Sequence, residues 1–218
     1  ATGDVGVQKA TISTWVKRSN VTEQQYLYFC GYTANYGSYN FYIRFNADAT
    51  LDITSDDGGN ILYYNTNRKF RDTSGHYHIV VKLDLTETGT DRCKLYVNGV
   101  LETDYATQTA MTGDQWITGK SGYRLFIGYS PVATTKVWNG LMSHFYYTDG
   151  YAYDASSFGS TDATTGEWKI NTSPTVTMGT LGFLIMKDGN TITDQSTNSN
   201  DLTLGGGTLT NTKDCPSD

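Results

Sequence analysis

Hydrophobic and polar residues alternate along much of this chain, most clearly between residues 77 and 85. There Ile79, Val81, Leu83 and Leu85 fall on one side and His78, Val80, Lys82 and Asp84 on the other, the period of two that a half-buried strand requires. The polar run 86–91, which contains Gly89, predicts a turn. Residues 92–97 resume the alternation, with Leu95 and Val97 opposite Lys94 and Tyr96. Asn98-Gly99 predicts a two-residue hairpin turn, because both central residues of a type I′ turn need positive φ and this dipeptide tolerates it best. A third strand is expected over 100–105. Residues 74–105 thus read as an antiparallel meander around which the rest can be arranged.

Further strands are predicted over 10–18, 25–32, 39–46, 50–54, 61–66, 123–129 and 140–147. The turn-rich loops 33–38 and 55–60 separate four of them. Short strands about ten residues apart, with no helical period, imply an all-β fold: two antiparallel sheets packed as a sandwich. The polar stretch 106–122 is expected to cross over the sheet edge. Residues 149–168 alternate poorly, and Asp154 is placed to cap one helical turn at 155–158. Residues 181–186 and 202–204 are predicted to return as edge strands. The last ~40 residues carry too few large apolar groups for a core of their own, so 1–218 reads as one domain, with 149–180 an irregular connection. The chain begins at Ala1 without Met, which points to a processed chain or a fragment of a longer one.

Composition narrows the function classes. Seventeen tyrosines, 23 glycines and three prolines favour strands joined by polar turns. A net charge of −6 with unclustered Lys and Arg excludes a nucleic-acid face. No apolar run approaches the ~20 residues that cross a bilayer, so membrane insertion is not expected. The three cysteines, Cys30, Cys93 and Cys215, are an odd number without C-x-x-C spacing and indicate neither a disulfide framework nor a zinc site.

The meander also carries a family likeness. His76-Tyr77-His78-Ile79-Val80-Val81 followed by Lys94 to Leu101 (KLYVNGVL) resembles the middle of laminin-G-like, concanavalin A-type jelly rolls, with His76 where the family usually has Trp. Residues 11–18 (TISTWVKR) look like the family's early strand. Leu125-Phe126-Ile127-Gly128 and Trp138-Asn139-Gly140-Leu141-Met142 look like its late pair. Further on, Asp149, Gly150, Phe158, Gly159, Asp162, Thr165, Gly166 and Trp168 form a pattern similar to laminin-G-like proteins of marine bacteriophages. Residues 181–185, 194–201 and 210–217 continue that similarity. The resemblance implies an all-β, two-sheet antiparallel jelly-roll sandwich of the concanavalin A-like lectin/glucanase type, carried on a virion surface, and a gene product that runs on past Asp218.

Candidate chemistry is sparse. Glucanases of this fold place their acids as E-x-D-x-x-E, whereas Glu23, Glu87, Glu102 and Glu167 are this chain's four glutamates and none sits in that pattern. Glu102 and Asp104 share a strand face and read as solvated rim charges. His76, His78 and His144 read as structural rather than metal-binding. No cofactor is required by any motif. Calcium is the candidate metal, since laminin-G and pentraxin relatives often carry it and its ligands are loop oxygens: Asp56, Asp57 and Asn60 in one loop, or Asp194, Asn198, Asn200 and Asp201 in another. Turn formation accounts for the same residues equally well.

Sugars are bound by aromatic faces with a few directional polar groups, which selects Tyr36, Tyr39, Trp116, Tyr129 and Trp138, with Asn35, Asp114 and Asn139 nearby. Trp116, among polar turns, is the best exposed candidate; Trp15 and Trp168 read as core, and Trp138 could serve either role. The expectation is a non-enzymatic module on the outside of a virion, extracellular, that adheres to a host glycan or attaches to a neighbouring virion protein. It would act as a homo-oligomer or within a larger assembly such as a tail fibre. A purely structural decoration or fibre subunit is the alternative, and a glycan hydrolase ranks third.

Overall fold

A computed structural model describes residues 8–59, 61–112 and 120–217. The strands, in chain order, are β1 (Lys9–Arg18), β2 (Gln25–Tyr32), β3 (Tyr39–Phe45), β4 (Leu51–Asp57), β5 (Ile61–Thr66), β6 (Tyr77–Asp84), β7 (Cys93–Val97), β8 (Val100–Leu101), β9 (Tyr105–Thr109), β10 (Tyr123–Ile127), β11 (Gly140–Asp149), β12 (Gly159–Thr161), β13 (Trp168–Ile170) and β14 (Phe183–Ile185). They form two six-stranded sheets in which, among the described residues, every pairing is antiparallel. The first runs β14-β11-β1-β6-β7-β8, the second β10-β2-β3-β4-β5-β9, and β12 pairs with β13 as a separate ribbon. The all-β sandwich expected from the alternation is the fold observed.

One phase of each strand builds the layer between the sheets. Ile12, Val81 and Phe145 come from the first sheet and Tyr28, Ile43 and Ile53 from the second, all in one buried cluster. Cys30 and Cys93 lie within it, neither in a disulfide, and burial raises the Cys93 pKa. At one end of this layer Arg18 is almost wholly buried. It donates to the Gln25 side chain (3.2 Å) and the Phe70 carbonyl (2.9 Å), and lies 4.6 Å from the Phe45 ring centre. Burial lowers its pKa to about 10.

The predicted meander divides. The third strand is only Val100–Leu101; the chain then leaves the first sheet, and Tyr105–Thr109 pairs with β5 in the second. The polar stretch expected to cross over the sheet edge therefore begins with a strand. The cause is Glu102, which is buried and not a solvated rim charge. Its backbone N–H still bonds to Leu95, but its carboxylate accepts the N–H groups of Thr103 and Asp104 and pairs with Arg68. The side chain thus caps the bend that carries the chain between sheets. Asp104, by contrast, is exposed and accepts from Asn67 at 2.6 Å.

Two further expectations are corrected. A 3-10 turn does form at Ala155–Ser157, but Asp154 does not cap it; its carboxylate is taken by the Lys82 ammonium (2.9 Å) and the Tyr96 hydroxyl (2.6 Å). Residues 202–204 form no strand: Leu202 bonds to the Ile192 carbonyl and packs against the core without joining a ladder.

The outer face of the first sheet is covered. Register places Leu184, Tyr146, Ser13, Val80 and Tyr96 in one cross-strand row on that face. Ala155, Phe158, Trp168, Val176 and Met178, from the irregular segment after β11, pack over it as a second apolar cluster. The roof is pinned at His78, whose ring stacks on Trp15 (4.6 Å) and lies edge to edge and nearly coplanar with Trp168 (6.0 Å, 18°). Trp168 Nε1 donates to His78 Nδ1 at 2.9 Å, so the neutral imidazole carries its proton on Nε2 and donates it to Ser13 Oγ at 2.9 Å. Gly99 is required beside it: a Cβ there would lie 2.3 Å from the Trp168 ring, and its φ is +79°.

Burial, assisted by His144, lowers the His78 pKa from 6.5 to about 3. The unfolded chain therefore binds more protons than the folded one between those values, and stability rises with pH across that window. The contribution is complete above about pH 6.5 and is lost progressively on acidification. Thermal unfolding monitored from pH 7 to pH 4 should show the midpoint falling, and His78→Leu should flatten that slope while lowering the midpoint at pH 7. An unchanged slope in the variant would refute the assignment.

Candidate functional site

The second sheet presents the opposite situation. Register sorts its outward residues into three rows that run across the strands. The middle row is Phe126, Phe29, Tyr42, Thr54 and Tyr63. On one side lies Tyr26, Arg44, Asp52, Asn65 and Thr107. On the other lies Arg124, Gly31, Asn40 and Asp56. At ~4.8 Å per strand the six strands make a platform about 24 Å across.

The rings of the platform touch one another. Phe29 lies parallel to Tyr42 (6.3 Å, 2°) and contacts Tyr26, Tyr36 and Phe126 at 6.2, 5.9 and 6.2 Å. Phe126 in turn meets Tyr36 at 6.0 Å and Tyr129 at 5.7 Å. Phe29 is fully buried by these neighbours, while Tyr36, Tyr42, Tyr63, Phe126 and Tyr129 keep part of their surface in solvent. Gly31 makes the cluster close: Tyr36 folds back from the β2–β3 loop onto the space its missing side chain leaves, and a Cβ there would lie 2.9 Å from Tyr36 Cδ1 and Phe29 Cε1.

Beside the rings stands a polar network centred on Asp52. Arg44 donates to Asp52 Oδ2 through Nε (3.2 Å) and Nη2 (2.9 Å) and to the Tyr26 hydroxyl through Nη1 (3.2 Å), and its guanidinium lies 4.9 Å from the Tyr42 ring centre. The Asn65 amide donates to Asp52 Oδ1 at 2.6 Å. Burial opposes the charge on Arg44, but Tyr42, Tyr26 and Asp52 outweigh it and hold its pKa above the usual value. Burial, with Asp52 adding to it, raises the Tyr63 pKa, and burial likewise raises that of Tyr42. At neutral pH the face therefore offers phenol hydroxyls, amides and a compensated ion pair alongside aromatic surface. These are the two kinds of contact a sugar ring takes.

Sequence reasoning and structure meet here only in part. Tyr36 and Tyr129 lie on the platform. Tyr39 stands at its rim, edge-on to Tyr32 at 6.3 Å and over Gly58. Asn35 is exposed, and its backbone bonds to Tyr32 and Tyr39 in the loop. Trp138 packs against Phe45 at 6.1 Å beside the main core, with Nε1 buried. Asn139 is exposed, and its carbonyl accepts from Ser19 and Gln25. Trp116 and Asp114 lie outside the described residues, as does Asn60. Phe29, Tyr42, Phe126, Arg44 and Asp52 were not singled out beforehand. The available signal was that β2 and β3 carry aromatics on both phases of the alternation.

Among the described residues, the acids of both candidate calcium loops already have partners. Asp56 and Asp57 are successive strand residues and point to opposite faces; Asp56 accepts the Gly59 N–H at 2.9 Å and Asp57 faces the Lys120 ammonium at 3.4 Å. In the second loop the Asp194 carboxylate already accepts the N–H groups of Leu184, Ser196 and Asn200 and the Ser196 hydroxyl, and Asp201 accepts the Asp194 N–H. Asn198 and Asn200 tie the loop to carbonyls of residues 179–182. That loop is a hydrogen-bonded brace for β14. As for acid chemistry, Asp52 and Asp56 stand four residues apart on β4, roughly 13 Å. That exceeds the ~5–9.5 Å at which paired carboxyls flank a glycosidic bond.

Two antiparallel six-stranded sheets packed face to face define a jelly-roll sandwich. A family model described as the concanavalin A-like lectin/glucanases superfamily matches residues 1–151, and the chain belongs to that superfamily. No curated protein sequence matches it. Among solved structures, the carbohydrate-binding module (CBM40) of the Ruminococcus gnavus IT-sialidase is 14% identical, with a TM-score of 0.53 over 69% of this chain and 80% of that one. The leech intramolecular trans-sialidase is 15% identical at TM-score 0.53, and the match covers 69% of this chain but 22% of the enzyme. A pentraxin of Limulus polyphemus is 15% identical at TM-score 0.49, over 67% of this chain and 66% of that one. At these identities the likeness is one of fold.

The close approach at Gly31 makes a prediction. Gly31→Ala should push Tyr36 off Phe29 and Phe126, removing the ring-current shifts among the three in a proton NMR spectrum. Urea unfolding should report a cost of about 1–3 kcal/mol. An unperturbed aromatic spectrum would contradict the packing.

Proposed function

We propose that this chain is a glycan-binding module and that the outer face of its second sheet holds the sugar. The single observation that carries this reading is the asymmetry of the sandwich. The outer face of the first sheet is roofed by an apolar cluster, whereas among the described residues the second sheet leaves partly exposed rings, on a platform about 24 Å across, beside the partly buried Arg44–Asp52 pair. The resemblance of residues 149–217 to laminin-G-like phage proteins supports the finer reading: a non-enzymatic module on the outer surface of a bacteriophage particle that adheres to host glycan. Attachment to a neighbouring virion protein is the companion reading. It is favoured by Val100 and Leu101, 63% and 41% exposed on the two-residue edge strand β8, where a second chain could pair.

A glycan array probed with labelled protein tests the module. Binding is expected, and Tyr129→Ala should weaken it by about tenfold, the loss of one stacked ring, with the melting temperature little changed because that ring lies outside the strands. Silence across the array, together with a stable oligomer by light scattering, would replace this reading with a structural subunit.

A further inference from the structure

The platform carries two arginines whose circumstances differ. Arg44 is engaged on every side, by Asp52, the Tyr26 hydroxyl and the Tyr42 ring. Arg124 lies in the row on the other side of the rings, paired in register with Gly31, and is exposed. Among the described residues its guanidinium has no hydrogen bond, ion pair or ring contact. Its strand neighbour on the same face, two residues on, is Phe126, which touches Phe29, Tyr36 and Tyr129. Asp56, the acid in its own row, is three strands away, ~14 Å, and is turned to the Gly59 N–H.

We infer that Arg124 is a specificity-determining residue of this face and that it selects a carboxylate-bearing sugar, a uronate or a sialate, whose ring rests on Phe126, Tyr36 and Tyr129. This rests on the glycan-binding reading of the same face. A guanidinium offers two parallel N–H donors that match a carboxylate. One held beside an aromatic cluster can take the acid of a sugar while the rings take its apolar side. The chain's net charge of −6 opposes a polyanion only weakly, because charges more than about 8 Å apart are screened at physiological salt; the contact at Arg124 decides.

The test prints uronate- and sialate-bearing oligosaccharides beside their carboxyl-reduced, neutral counterparts. The wild-type protein should prefer the acidic members. Arg124→Gln should lose about tenfold to a hundredfold on those members and nothing on the reduced ones, and Arg124→Lys should fall between. Raising NaCl to 0.5 M should weaken the acidic interaction alone. Equal binding of acidic and reduced forms, or an unaffected Arg124→Gln protein, would overturn the inference and leave the glycan-binding reading standing. No binding to any member would overturn both. A thermal melt of Arg124→Gln matching the wild type certifies that an exposed side chain, not the fold, was removed.

Discussion

Adjacent residues of a strand must point to opposite faces, and this chain places large apolar side chains on both phases of several strands. One phase is satisfied by the layer between the sheets. The other phase has to be covered or left bare, and the two sheets resolve that constraint differently. In the first, Val80, Tyr146 and Leu184 are buried under the segment after β11. In the second, Phe29 is buried by its own neighbours, and the rings that bury it stay partly in solvent. The roof and the platform are two answers to one problem of surface area.

The roof explains why so irregular a segment is ordered. It has little ladder of its own beyond the β12–β13 ribbon, yet it supplies Phe158 and Trp168, and Trp168 is hydrogen-bonded to His78. A neutral imidazole with both nitrogens engaged is the one arrangement in which a buried histidine leaves no orphan polar atom there. The Asn98-Gly99 turn takes part, since a side chain at Gly99 would collide with that tryptophan. Hairpin chemistry and roof packing thus meet at one residue.

Charge follows the same division of labour. Glu102 with Arg68, and Asp52 with Arg44, are carboxylates held out of water, and each has backbone or amide donors in addition to its arginine. Pairs so satisfied fix geometry more than they add stability. Glu102 turns the chain from one sheet to the other, and Asp52 holds Arg44 over the Tyr42 ring. Asp194 does comparable work with backbone donors and the Ser196 hydroxyl, bracing β14 against the following loop.

The period of two, the polar turns and Asn98-Gly99 were sufficient to predict an antiparallel sandwich, because they act locally and every strand repeats the same instruction. The likeness of residues 11–18, 76–81 and 94–101 to laminin-G-like domains pointed to the same architecture. What alternation cannot reveal is which outer face is covered, since strands of both sheets carry aromatic residues on their outward phase until another segment packs on one of them. That is why Tyr36 and Tyr129 were recognised as candidates while Phe126, Tyr42, Arg44 and Asp52 were not, and why Trp138, similar to them in sequence, packs beside Phe45. The break after Leu101 was equally hidden, because Glu102 reads as an ordinary strand-edge acid until Arg68, thirty-four residues earlier, arrives beside it. Local chemistry decided the strands; contacts between distant segments decided which surface was left to meet a partner.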